Sequence, residues 1–210
     1  PDSIDDDSAV FVEPLVAAGQ GLVRLVTLAP ERDANLAVTR WLVEQQIRVA
    51  AGHCDPSLDQ LRAAIDAGLS IFTHLGNGCP PLLARHDNVV QRVLSLSDRL
   101  WVSFIADGIH VPFVALGNYL KCVGVERAVV VSDAISAAGM GPGQYSLGGQ
   151  QVYVGDDLAA WSSDRSHLMG AAASMARASA NLESELHISA ADLRKLTYGN
   201  PRSAIGLGVL

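Results

Sequence analysis

The stretch IRVAAGHCDPSLDQLRAAIDAGLSIFTH, residues 47–74, decides the fold. It holds two apolar runs, 47–52 and 70–73, and each ends on a histidine, His53 and His74. Between them residues 58–67 read as a helix, with Ser57 as its N-cap and Gly68 just past its end. Continuous apolar runs, as opposed to alternating ones, mark strands buried on both faces. Two such strands joined by a helix pair in parallel.

The same unit recurs on either side. Residues 22–27 form an apolar strand running into Leu28-Ala29-Pro30-Glu31, and 35–46 have helical spacing through Leu36, Trp41 and Leu42. Downstream, 89–95 read as a helix and 100–106 as a strand ending in Asp107-Gly108-Ile109-His110. A helix over 112–123 carries Pro112 near its first turn, and a strand over 128–132 ends at Asp133. Five strand–loop–helix units predict an α/β fold with a parallel sheet; they are not a sequence repeat. After Asp133 the pattern changes. Residues 144–147 and 151–154, joined through Gly148-Gly149, read as a β-hairpin. Helices are expected over 171–183 and 189–198, the second stopped by Asn200-Pro201, with a short helical turn running to Gly206.

With 210 residues, 49% of them hydrophobic and only 18% charged, the chain has material for one sizeable core and is not a disordered polymer. The net charge of −7 argues against nonspecific nucleic-acid binding but leaves room for a small anion in one cationic pocket. Cys54, Cys79 and Cys122 are sparse and odd in number, as expected of reduced thiols in a cytoplasmic protein. No apolar run approaches the roughly 20 residues of a membrane span. Residues 1–8 are acidic and polar and lack an initiating Met, so the protein is expected to begin upstream.

The chemistry sits at strand ends. His53, His74, His110 and Asp133 each follow a predicted parallel strand, and in a β/α barrel the C-terminal strand ends form the active-site face. A single strand-end histidine is more often an ordinary loop residue; four polar groups at one end read as a site. Imidazoles and a carboxylate suit a borderline metal such as zinc. Cys54 is adjacent to His53, which already occupies the strand end, so it reads as a packing thiol. His86 and His187 read as surface residues.

These residues carry a resemblance. Gly52-His53, Thr73-His74-Leu75-Gly76-Asn77, Ala106-Asp107-Gly108-Ile109-His110-Val111 and Ser132-Asp133-Ala134 are similar to the N-acetylglucosamine-6-phosphate deacetylase family. So are Thr27-Leu28-Ala29-Pro30-Glu31, Tyr145-Ser146-Leu147-Gly148-Gly149 and Asn200-Pro201-Arg202. The resemblance implies a partial (β/α)8 TIM-type barrel of the amidohydrolase type, with a β-hairpin excursion and C-terminal helices. Residues 1–210 would be its C-terminal portion, the upstream strands and a small β domain lying outside the sequence. It implies His53 and His74 as ligands of a divalent metal, most readily zinc, and Asp133 as the catalytic acid/base. Asn77 and Gly78 would belong to a phosphate cradle, Arg85 would reach the phosphate in a neighbouring subunit's site, and His110 would contact the sugar phosphate. A cytoplasmic homodimer acting on an amino sugar phosphate follows. The alternatives are another amidohydrolase, a deacylase or deaminase, or a non-catalytic sugar-phosphate-binding relative.

Three departures accompany the likeness. The family's upstream glutamate ligand, in a His-Leu-Glu-Gly-Pro context, has no counterpart, and the histidine that helps polarise the acetyl carbonyl is absent with it. The family's Phe-Asn-Ala-Met is here Gly76-Asn77-Gly78-Cys79. The family's Gly-Ser loop is here Gly170-Ala171.

Overall fold

The structure, a computed structural model, describes residues 8–208, with side chains from residue 12 onward, so the acidic opening stretch lies outside the described residues up to Asp7. Helix α1 (Ser8–Ala18) leads into strand β1 (Leu25–Leu28) and then helix α2 (Ala37–Glu44). Then β2 (Arg48–Ala51), α3 (Leu58–Asp66), β3 (Leu69–Phe72), α4 (Val89–Leu94), β4 (Trp101–Ile105), α5 (Phe113–Val123) and β5 (Ala128–Val131) follow. The five strands form one sheet in the order β1-β2-β3-β4-β5, every neighbouring pair parallel. The expected α/β parallel fold is therefore present. Among the described residues the sheet is open, and no closed barrel is formed.

Local chemistry sets the helix boundaries. At α3, Ser57 Oγ accepts from Gln60 N–H while Gln60 Oε1 accepts from Ser57 N–H, a reciprocal cap that fixes the start. α2 begins two residues later than its apolar spacing suggests. Asn35 and Leu36 take left-handed backbone, and the buried Asp33 carboxylate accepts from Val38 N–H, Thr39 N–H and the Thr39 hydroxyl, capping the helix from outside. The large cluster on one side of the sheet packs Leu42, Leu61, Leu116 and Leu182 with the strand residues Val49, Phe72, Val102 and Phe104. Ala50, Ile71 and Val129 form a second cluster with Ala204 from the end of the chain. Both faces of the sheet are thus covered, as its continuous apolar runs require.

The segment after β5 departs furthest from expectation. The hairpin is present as β6 (Gly143–Leu147) and β7 (Gln150–Val154), turned by Gly148 and Gly149, both with positive φ (57° and 82°). Such a two-residue turn needs glycine-like freedom at both positions. Two further strands, β8 (Ala159–Ser162) and β9 (Leu168–Ala171), extend it to a four-stranded antiparallel sheet. Residues 168–171 are thereby claimed by β9. The expected helix starts later, as α6 (Met175–Leu186), where Ser174 Oγ accepts from Arg177 N–H. Nor does Asn200-Pro201 stop the last helix. α7 (Ala190–Arg194) passes through a wide π turn, Lys195–Gly199, into α8 (Asn200–Ala204). Pro201 lies in the first turn of α8, where its missing N–H leaves no vacancy. Asn200 Nδ2 donates to Val125 O and Ala128 O, pinning α8 to the start of β5.

Candidate functional site

Parallel pairing places the ends of β2, β3, β4 and β5 along one edge of the sheet, and His53, His74, Asp107 and Asp133 follow those ends within one or two residues. Three of the four hold left-handed backbone: φ is 52° at His53, 35° at His74 and 48° at Asp133. Histidine and aspartate enter this region more often than most residues, though still at some cost, and such backbone is found where surrounding structure holds a functional group in place.

The two histidines meet. Nε2 of His53 and Nε2 of His74 are 3.0 Å apart, with the rings edge-on at 86°. His74 is buried; its N–H donates to Ser103 Oγ at 2.7 Å, which ties the end of β3 to β4. Burial is the main force pushing its imidazole toward the neutral form. The neighbouring His53 adds to it, against the nearby carbonyls of His74 and Asn77 and the charge of Asp133. Nδ1 of His74 is buried with no partner in hydrogen-bonding geometry among the described residues. His53 is held from the other side. A Cβ on Gly78 (φ 63°) would stand 2.7 Å from its Nδ1, so only glycine lets this loop close onto the ring. Asn77 spends its backbone N–H and its Nδ2 on the carbonyl of His74. Its backbone amide is engaged in the turn in this structure. In this structure Asn77 and Gly78 first of all shape the two histidines.

The Asp107-Gly108-Ile109-His110 run forms a closed loop after β4. Asp107 Oδ1 accepts from the N–H groups of Ile109 and His110, both at 2.9 Å, and Oδ2 lies 2.6 Å from Nδ1 of His110. Burial pushes the Asp107 carboxyl up, but these donors, the His110 ring foremost, outweigh it and hold the group below the usual carboxylate range. Asp133 is exposed, and its charge is felt at His74, although no direct bond joins the two. Its carbonyl accepts from Ala171 N–H, which ties the strand-end residue to β9.

Arg85 sits on the long loop between β3 and α4, exposed and without an ion pair or hydrogen bond among the described residues. The carboxylate two residues on, Asp87, does not hold it: Asp87 pairs with Arg92 at 2.7 Å, and Arg92 also reaches Asp55 and the carbonyl of Pro56. Arg92 thus ties the His53 loop to the Arg85 loop, a role its place inside α4 gave no reason to expect. Glu31 was likewise missed. Its Oε1 accepts from Asp55 N–H beyond the end of β2. Cys54 is buried, and its thiol is pushed up to about 12 by burial first and then by Glu31, Asp55 and Cys79, which suits a packing thiol.

The pair of imidazoles fits a metal. Two nitrogens bound to one zinc at about 2.0–2.1 Å stand roughly 3–3.4 Å apart, and a buried, neutral-leaning imidazole is the ligating form. The set is partial, since no group of three or more His, Cys, Asp or Glu side chains placed to hold a metal occurs among the described residues.

Comparison with known proteins gives this geometry its context. No protein-family model matches the chain. It is 39% identical over 141 residues to an N-acetylgalactosamine-6-phosphate deacetylase of Escherichia coli O157:H7, covering 67% of this chain and 37% of that protein. It is 31% identical over 204 residues to an N-acetylglucosamine-6-phosphate deacetylase of Lysinibacillus sphaericus, covering 97% of this chain and 52% of that protein. The chain superposes with a TM-score of 0.86, at 32% identity, on the Mycobacterium smegmatis N-acetyl-D-glucosamine-6-phosphate deacetylase solved in complex with N-acetyl-D-glucosamine-6-phosphate. That match covers 95% of this chain and 53% of the other. The chain therefore spans about half the length, or less, of the proteins it matches. Sequence and fold agree along nearly the whole of this chain, which is similar to N-acetylglucosamine-6-phosphate deacetylases over about half of their length.

Proposed function

We propose that the protein hydrolyses the acetamide of N-acetylglucosamine 6-phosphate, giving acetate and glucosamine 6-phosphate. The observation that carries this reading is the 3.0 Å approach of His53 and His74 at adjacent strand ends, beside a strained Asp133. His53 and His74 would hold a divalent metal, zinc by preference for two imidazoles, with further ligands from outside residues 8–208. When bound, the metal supplies Lewis acidity that polarises the acetyl carbonyl and acidifies water. Asp133 takes a proton from the attacking water and returns it to the departing amine. Ser103 and Gly78 keep the two imidazoles facing each other while this occurs. His110 contacts the sugar. Arg85, exposed and uncommitted, offers a fork matched to phosphate oxygens, and reaches them in the site of a second subunit. The exposed Leu82 and Leu83 beside it give that loop an apolar surface for a homodimer contact.

Residues 1–210 are read as the C-terminal portion of an amidohydrolase-type barrel, whose remaining strands would continue the open sheet. Its three free cysteines suit a cytoplasmic enzyme. The C4 epimer, N-acetylgalactosamine 6-phosphate, is a second reading, favoured by the 39% identity to a deacetylase named for that sugar.

The test is acetate release by the full-length protein from both epimers and from unphosphorylated N-acetylglucosamine, before and after chelation and zinc restoration. Release that needs both metal and phosphate supports the proposal. Metal-independent release, or none from either phosphorylated epimer, refutes it.

A further inference from the structure

The stretch that carries Arg85 has little of its own to hold it. Residues 80–87 are all exposed, and among the described residues none of them joins a backbone–backbone hydrogen bond. Two side chains from the start of α4 take up the slack. Asn88 Nδ2 donates to Ala84 O at 2.8 Å, a bond internal to the turn. Arg92 reaches further. Its Nε donates to Asp87 Oδ1 at 2.7 Å and its Nη2 to Asp87 O at 3.2 Å, while Nη1 donates to Asp55 Oδ1 at 3.1 Å and to Pro56 O at 2.9 Å. Arg85 thus lies between two fastened points, Ala84 and Asp87. Among the described residues only the second is hydrogen-bonded across to another loop.

The far end of that span is fixed by other bonds. Asp55 N–H also donates to Glu31 Oε1 at 2.9 Å, and Ser57 begins α3 with its reciprocal cap. A single exposed ion pair contributes little. Here one planar fork, on a side chain only 15% exposed, makes four bonds and joins a firm loop to a loose one. We infer that Arg92 is a positioning residue for Arg85: it fastens the loop between β3 and α4 to the loop after β2, and so sets where the Arg85 guanidinium meets phosphate. That phosphate is the ligand rests on the deacetylase reading above; the fastening does not. Arg92 needs no contact with substrate for this, because it acts through Asp87, two residues from Arg85. Lysine could not replace it, since a compact ammonium lacks the fixed fork that spans both loops.

Hydrogen exchange of the full-length protein tests the fastening independently of activity. In Arg92→Met the amides of residues 82–88 should exchange about 10-fold faster or more, while residues 53–57 and the zinc bound per chain stay as in the wild type. Asp87→Ala removes the shortest of the four bonds at a side chain 82% exposed, where folding is not at stake, and should loosen the same amides less. Unchanged exchange at 82–88 in both variants, or equal loosening at 53–57 with loss of zinc, overturns the inference. Kinetics test the positioning. Arg92→Met should raise KM for the phosphorylated sugar about 3- to 30-fold, with kcat and the unphosphorylated sugar nearly unaffected, and Arg92→Lys should not restore it. In an Arg85→Ala background the same substitution should change KM less than about twofold, because both act through one contact. Equal loss on both sugars, rescue by lysine, or losses that add in the double variant overturn the positioning role. If the wild-type protein deacetylates neither epimer, the function fails while hydrogen exchange still decides the fastening.

Discussion

The two sheets use their polar residues in opposite ways. Along the antiparallel sheet, turn carboxylates are consumed locally. Asp157 caps Ala159 N–H, and Asp164 takes Ser162 Oγ, Ser166 Oγ and Ser166 N–H, with the Ser162 bond foremost in holding its carboxyl well below the usual range. At the ends of β2, β3 and β5 the polar groups are held but not used up, whereas Asp107 after β4 is consumed within its own loop. His53 and His74 turn their nitrogens on each other, His74 keeps a buried Nδ1 without a hydrogen-bond partner among the described residues, and Asp133 stands on left-handed backbone with its side chain exposed. A fold retains uncommitted polar groups and strain where they do something other than stabilise it. On this contrast rests the proposal that the site lies on the parallel sheet and that the antiparallel sheet supports it.

The sharpest break of that contrast would come from Asp133. Asp133→Asn should lower kcat by about 10²- to 10⁴-fold, the range of a positioned general acid/base, with KM nearly unchanged. Steady-state kinetics on the full-length protein measure this, and a variant keeping most of its kcat assigns the proton transfer elsewhere. A stability test follows in size. Phe104 is fully buried in β4, so Phe104→Ala should cost about 3–5 kcal/mol in a denaturant titration. A loss under about 1 kcal/mol would mean that the parallel sheet is not the principal core.

The parallel sheet was legible because each strand is a continuous apolar run ending in a chemically distinctive residue. The pattern and the chemistry pointed the same way at His53, His74 and Asp133. The antiparallel sheet was half hidden. Gly148-Gly149 announced β6 and β7, but β8 is Ala159-Ala160-Trp161-Ser162, with little strand propensity, and β9 contains a glycine in an apolar stretch that reads equally as a helix start. Asn200-Pro201 misled for a different reason. A proline ends a helix by default, and no local signal announces a π turn that resets the chain for a new one. Within the site, strand-end positions could be read, but cross-loop ties could not. Arg92 reaches Asp55 across 37 residues and His74 N–H finds Ser103 across 29, separations that no spacing rule covers. Asp107 did carry a signal, an aspartate three residues before a histidine in a glycine-containing turn.

Smaller effects sharpen the same comparison. Arg85→Ala should raise KM for the phosphorylated sugar by about 10- to 100-fold, as expected from losing a charge-assisted contact, and should leave the unphosphorylated sugar nearly unaffected. Equal loss on both substrates would remove Arg85 from phosphate binding. The smallest effect belongs to the antiparallel sheet. Asp164, in the turn between β8 and β9, bonds only to Ser162 and Ser166, so Asp164→Asn should leave kcat/KM within about twofold of wild type. A large kinetic loss there would mean that the antiparallel sheet takes part in the reaction.

The most direct test of the central claim is a paired measurement on His53→Ala and His74→Ala in the full-length protein: zinc bound per chain, and acetate released from N-acetylglucosamine 6-phosphate. The wild type should bind zinc and release acetate, and either substitution should lose both together. Variants that bind zinc and turn over like the wild type would contradict the account, because the histidine pair at the ends of β2 and β3 would then not be the site.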